Sequence, residues 1–270
     1  MLTEMKNYPR LDLAADTRLV AGGVRDGLDD SLYIFRTPFG YQRAAELYRP
    51  VGDGPYPAIL YLHWYEPQAT DSNRSQFEAE AIEFAKLGAV CLAVETLWSD
   101  RDFFFKRTQA DDERNSIEEV VNLRRYMDFL LCQPGVDPGR FALVGHDFGG
   151  MYGALAGALD RRPSHYVIMA ATPRFPHWYL YLPKLEGEAR EDFIRAMQPI
   201  DPITHIADLA PAPVLFQFGD DDVHVSLERA EEFFAAAGEP KEKRVYKAGH
   251  GLCEEATAER KAWLKEKLGL

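Results

Sequence analysis

An α/β fold, a mostly parallel sheet with helices on both faces, is predicted by three features of the sequence. Short continuous apolar runs recur: A-I-L-Y-L-H (58–63), A-V-C-L-A-V (89–94), F-A-L-V (141–144), Y-V-I-M-A (166–170) and V-L-F-Q-F (214–218). Strands covered on both faces read this way. Segments with helical spacing alternate with these runs, as in strand–helix–strand crossovers. Residue types suited to catalysis follow three of the strand ends, where open α/β sheets hold their ligands.

The elements follow in order. The first 30 residues are polar and carry G-G and D-G turns, so an irregular lead-in is expected. S-L-Y-I-F-R-T (31–37) and A-A-E-L-Y-R-P (44–50) read as two strands around a P-F-G-Y turn. After V-G-D-G-P-Y-P and the 58–63 strand, residues 75–87 have helical spacing through Phe77, Ala81, Phe84 and Ala85, and Gly88 caps them. The 89–94 strand precedes an amphipathic helix over 118–132. P-G-V-D-P-G stops it before the 141–144 strand, and a small-residue helix spans 149–159. Strands at 166–170, 214–218 and 243–246 follow, with helices at 227–237 and 254–268 after the last two. The sum is one α/β domain of about eight strands over 1–270. Residues 173–209 form its one large excursion, a short lid.

Composition narrows the partners. The 270 residues are 46% hydrophobic and carry a net charge of −12. That charge argues against nucleic acid and against an anionic membrane surface. No apolar run approaches a membrane span, and the start lacks a signal-peptide core. Cys91, Cys132 and Cys253 suggest neither a disulfide framework nor a metal site, and Cys91 and Cys132 sit in apolar runs as expected core residues. A cytoplasmic protein acting on a small molecule is expected, with no cofactor and no metal; a homodimer is compatible with this.

Three positions carry the chemistry. F-A-L-V-G-H-D-F-G-G-M-Y (141–152) has the shape of a nucleophile elbow, G-x-S-x-G, with Asp147 where serine is usual. F-G-D-D-D-V-H-V follows the 214–218 strand, and Y-K-A-G-H-G-L follows the last strand and offers His250. Nucleophile, acid, histidine is the chain order of α/β-hydrolases. Each residue also has a plainer reading: Asp147 as a turn former, the triple aspartate as solvated surface, His250 as a surface histidine. The shared context favours the catalytic one. His146 is expected to pack beneath the turn. His63 and His224 lie near the site loops without an assigned role, and His165, His177 and His205 are read as structural.

From residue 58 onward the chain resembles an α/β-hydrolase. The body is similar to dienelactone-hydrolase-like and prolyl-oligopeptidase-like members, on a short lid, on D-P-I-T-H-I-A-D-L-A-P-A-P-V-L, and on G-x-x-D-x-x-V at Gly219, Asp222 and Val225. The resemblance makes Asp222 the favoured acid over Asp220 and Asp221. The elbow G-H-D-F-G-G instead resembles epoxide hydrolases and haloalkane dehalogenases, in which aspartate is the nucleophile.

An aspartate changes the chemistry expected of the site. A serine hydroxyl needs a base before it attacks, whereas a carboxylate is already ionised at neutral pH. Its natural target is an sp³ carbon with a leaving group or a strained epoxide carbon, giving an ester. Attack on a carboxylic ester would give a mixed anhydride, which is uphill. His250 is then expected to activate water against that ester, with Asp222 holding its tautomer. The backbone N–H of Phe148 and that of Trp64 or Tyr65 are the expected oxyanion donors. Dehalogenases usually place tryptophan, or arginine for fluoroacetate, after the nucleophile to hold the halide; Phe148 has no side-chain donor. The lid stretch F-P-H-W-Y-L-Y-L-P offers Trp178 to a substrate pocket and Tyr179 and Tyr181 as acids toward an epoxide oxygen, or as plain packing. Trp98 and Phe103 to Phe105 are expected to line an apolar pocket, with Arg101 or Arg107 near an anionic substrate group or on an ordinary surface loop. A serine-hydrolase-like scaffold whose nucleophile has been replaced, non-catalytic or engineered, is the competing reading. Dehalogenation, and Asp147 as a general base on water, are lesser ones.

Overall fold

The computed structural model describes residues 1–71 and 73–270. Nine strands form one sheet: β1 (Thr17–Arg25), β2 (Leu28–Arg36), β3 (Gln42–Pro50), β4 (Tyr56–Leu62), β5 (Val90–Val94), β6 (Val136–His146), β7 (His165–Met169), β8 (Val214–Gly219) and β9 (Lys241–Tyr246). Their order is β1-β2-β3-β5-β4-β6-β7-β8-β9. Strands β1, β2, β3 and β5 pair antiparallel, and β5-β4-β6-β7-β8-β9 pair parallel.

The continuous apolar runs have the physical cause assigned to them. In β4, Ala58, Leu60 and Leu62 face one layer, with Leu123, Met127 and Tyr152. Ile59 and Tyr61 face the other, with Phe84, Ala85 and Leu264. Helices Gln109–Leu131 and Phe148–Leu159 supply the first layer, and Glu78–Lys86 and Glu254–Leu268 the second. Side chains alternate across a strand, so a strand between two layers has no polar face.

Three expectations need correction. The lead-in is not irregular throughout: Thr17–Arg25 is a strand, paired with β2 through an Asp26–Gly27 turn with both φ values positive (52° and 79°). That turn matches the twist of a hairpin, but β1 is almost wholly exposed and shows no apolar alternation. The helix expected over 118–132 begins at Gln109, because Thr108 and Asp111 form a reciprocal capping box. Cys132 is exposed, since it caps that helix beyond its buried face, whereas Cys91 is buried.

Between β7 and β8 the chain carries three α-helices, Pro176–Tyr179, Gly187–Met197 and Pro202–His205, and two 3₁₀ turns. Arg107 ties this excursion down. Its guanidinium donates to the carbonyls of Tyr179 (2.5 Å) and Leu182 (2.6 Å) and pairs with Asp112 at 2.6 Å, both side chains being sealed from solvent. Arg107 is thus a buried clamp, not a contact for substrate.

Candidate active site

The elbow is built by close approach. Asp147 follows β6 and caps the next helix with φ 53° and ψ −116°, a positive-φ conformation that costs a non-glycine residue roughly 1–3 kcal/mol. Its N–H donates to the carbonyl of Met169 on β7 (2.8 Å), and its carbonyl accepts from Met151 in the first turn of the helix (2.9 Å). The flanking glycines make the turn feasible. A Cβ on Gly145 would lie 2.3 Å from the carbonyl oxygen of Gly149, and one on Gly149 would lie 2.2 Å from that of Leu62.

His250, in the loop after β9, meets both carboxylates. Its Nδ1–H donates to Asp222 Oδ2 at 2.8 Å, and its Nε2 stands 3.8 Å from Asp147 Oδ2. Asp222 Oδ1 accepts from the N–H groups of His224 (2.8 Å) and Val225 (3.0 Å). Burial opposes ionisation of Asp222, but His250 and these two amides outweigh it and hold the carboxyl below its ordinary range. Burial likewise favours a neutral His250, yet the bonds and charges of Asp147 and Asp222 lift it to about 9. Of the other acids in the run, Asp220 pairs with Lys247 at 2.8 Å and Asp221 is exposed.

The site is almost closed: the side chains of Asp147 and His250 are 3% and 12% exposed. Four atoms within it are buried without a hydrogen-bond partner among the described residues: Asp147 Oδ1, His250 Nε2, Trp178 Nε1 and His224 Nδ1. Their residues touch. The Trp178 ring lies 5.1 Å from that of His224 and 5.7 Å from those of His250 and Phe148, and His224 lies 5.1 Å from His250. Buried polar atoms without partners are few in native proteins and call for a reason; three of them beside the Asp147 carboxylate make this the candidate place for a polar reactant.

The remaining expected site residues divide. Phe148 begins the helix with its ring beside Trp178. Trp64 and Tyr65 follow β4, but the Trp64 N–H donates to Gln76 Oε1 at 2.9 Å and is withdrawn from an oxyanion role. Tyr65 N–H has no protein partner among the described residues, which leaves it and Phe148 as the available pair. The Tyr65 hydroxyl donates to the carbonyl of Arg101, and Arg101 itself to that of Pro67. Trp98 does not line an open pocket. It is fully buried, stacks beneath Phe148 (5.5 Å), and donates from Nε1 to the carbonyl of His63. The Tyr179 hydroxyl turns into the core and bonds that of Tyr152 (2.6 Å), which reaches Ser116 (2.9 Å). Tyr179 is therefore not placed to protonate a substrate, whereas Tyr181 is half-exposed beside Trp178 and His224.

Two histidines acquire roles that the sequence did not assign. His63 donates from Nδ1 to the carbonyl of Trp64 (2.7 Å), and its Nε2 meets Thr96 and Ser99. Burial drops its pKa to about 4, so it is a neutral brace for the turn after β4. His146 does lie beneath the elbow, but as a link: Gln76 Nε2 bonds its Nδ1 at 2.6 Å, and its Nε2 bonds the carbonyl of His250 at 2.9 Å. The Trp64 indole stacks on both His146 (4.7 Å) and His250 (5.4 Å). Among the described residues no cluster is suited to a metal and no helix is long and apolar enough to cross a membrane.

No family model and no curated protein matches the chain. Solved structures do. An acetyl xylan esterase from a Paenibacillus species matches with a TM-score of 0.81 at 16% identity, over 98% of this chain and 92% of that one. An acetyl xylan esterase from a Thermoanaerobacterium species matches with 0.73 at 14% identity, over 99% and 98%. A protein described as a putative dienelactone hydrolase from Klebsiella pneumoniae matches with 0.62 at 17% identity, over 88% and 98%. Likeness at such low identity speaks to architecture alone. With the strand order, the strained elbow, and Asp147, Asp222 and His250 in that order along the chain, it establishes that this protein has the α/β-hydrolase fold.

Proposed function

We propose that the protein is a hydrolase that uses Asp147 as a nucleophile on an electrophilic sp³ carbon, most naturally that of an epoxide. The observation that carries this reading is the pairing of a strained, sealed Asp147 carboxylate with His250 Nε2 at 3.8 Å, backed by Asp222 at 2.8 Å. An Asp147 oxygen attacks the carbon, a carbon–oxygen bond forms, and the leaving atom departs with its electron pair. A ring oxygen released from an epoxide takes the proton that His250 carries at rest and becomes the substrate's hydroxyl, which leaves His250 neutral. His250 then removes a proton from water, whose oxygen bonds the ester carbonyl carbon, and the N–H groups of Phe148 and Tyr65 receive the oxyanion. Collapse expels the alcohol oxygen, which takes the proton from His250; the second proton of that water passes from the new Asp147 carboxyl to His250, and the pair is as it began.

The electrostatics fit two steps. While Asp147 is an anion it helps keep His250 protonated, at about 9, and so unable to act as a base at neutral pH. Alkylation removes that anion and lowers the histidine, so the base is released when there is an ester to cleave. Trp178 keeps a halide in play as the leaving group, because its buried indole N–H has no partner among the described residues.

A second reading is a serine-esterase-like scaffold whose nucleophile has been replaced by aspartate, without turnover. The solved structures it resembles, several of them described as esterases, favour it. One experiment separates the two. A His250→Gln variant, incubated with a panel of epoxides and haloalkanes, should accumulate an adduct mapped to Asp147 by peptide mass. No adduct with any compound, together with nitrophenyl-ester hydrolysis by Asp147→Ser, would establish the second reading.

A further inference from the structure

We infer that Gln76 is a positioning residue of the site, coupling the oxyanion turn to the general base through His146. The inference rests on the reading of His250 as the base. Gln76 lies in a 3₁₀ turn (Arg74–Phe77) before the first helix of the parallel region and touches none of the reacting groups. Its amide closes a chain of three hydrogen bonds: Trp64 N–H to Oε1 (2.9 Å), Nε2 to His146 Nδ1 (2.6 Å), and His146 Nε2–H to the carbonyl of His250 (2.9 Å).

The polarity of this chain is fixed at both ends. A backbone N–H only donates and a backbone carbonyl only accepts. Trp64 N–H therefore selects Oε1 of Gln76 and turns Nε2 toward His146. His146 must accept at Nδ1, which leaves Nε2 carrying the proton that the His250 carbonyl requires. Burial and then the neighbouring His250 cation hold His146 down at about 3, so it stays neutral while His250 cycles. Two consequences meet at the reacting centre. The Trp64 amide is spent, so Tyr65 becomes the oxyanion donor beside Phe148. The main chain of His250 is held where its ring faces Asp147, and the Trp64 indole stacked on both histidines fixes the same spacing.

The test has a readout that needs no substrate. Long-range proton–nitrogen spectra of ¹⁵N-histidine-labelled protein should find His146 as the Nε2–H tautomer. In Gln76→Leu the donor to Nδ1 is gone. In Gln76→Glu only an acceptor faces Nδ1, and the ring should become protonated there. Both variants should form the Asp147 adduct at close to the wild-type rate and hydrolyse it about 10- to 100-fold more slowly. A general packing defect would slow both steps alike. An Nδ1–H tautomer in the wild type, or folded variants that hydrolyse the adduct at the wild-type rate, would overturn the assignment. If no electrophile alkylates the wild type, the nucleophile reading fails separately, and the tautomer alone decides: protonation at Nδ1 in Gln76→Glu upholds Gln76, and no change there removes it.

Discussion

His250 is held charged in the folded protein by two carboxylates, and this has a measurable sign. Its folded value, about 9, lies above the ordinary value of 6.5. The stabilisation it brings is complete below the unfolded value and is lost as the pH rises through 9. Thermal midpoints between pH 6 and pH 9.5 should therefore fall more steeply for the wild type than for His250→Gln. Asp222 acts on the same ring. Asp222→Asn removes the anion that orients the imidazole, and hydrolysis of the Asp147 adduct should slow by about 10⁴-fold in single-turnover assays, with adduct formation much less affected. The path of oxygen is equally specific. If water attacks the Asp147 ester, single turnover in H₂¹⁸O should put the label into the Asp147 carboxylate before it reaches product, as read by peptide mass. Asp147, Asp222 and His250 were legible in the sequence because each follows a strand end in a fixed order, the first two after buried strands. Gln76 was not. It sits in the polar stretch D-S-N-R-S-Q-F, and its role arises only where β4, β6 and the β9 loop converge. The inward turns of Trp98 and Tyr179 were hidden for a related reason, since an aromatic that packs and an aromatic that binds substrate look alike in sequence.

The strands and helices were readable where burial is two-sided or amphipathic and unreadable where it is not. β1 and the first turns of the Gln109–Leu131 helix are largely exposed, so no apolar period announces them. Their signals are local, an Asp–Gly turn and a capping box. Contacts between elements yield two predictions. Gly149 seats its helix against the end of β4, and a methyl there would meet the Leu62 carbonyl at 2.2 Å. Gly149→Ala should cost about 1–3 kcal/mol or more in urea titrations, as overpacking does. Arg107 holds the excursion between β7 and β8. Arg107→Met strands Asp112, whose pKa burial already raises to about 7 against the pull of that arginine. A loss of about 3–5 kcal/mol is expected, with faster hydrogen exchange at 176–183. The double variant Arg107→Met/Asp112→Leu should recover part of the stability and none of the exchange protection.

Taken whole, the chain places Asp147, Asp222 and His250 from the ends of β6, β8 and β9 beside a turn from β4, with aromatic side chains sealing them. Sealing and reactivity are linked, because charges attract more strongly away from water. The positive φ at position 147 goes with the turn: Gly145 and Gly149 allow the close approach of its two arms, and the Met169 carbonyl holds the amide of residue 147. The elbow is in this sense a socket. Serine, cysteine or aspartate would each have to take up the same positive φ there, and the amides that would stabilise an oxyanion belong to the backbone. On the proposed reading, carbon-alkylating and acyl-transferring chemistry are therefore one substitution apart on this scaffold, at position 147.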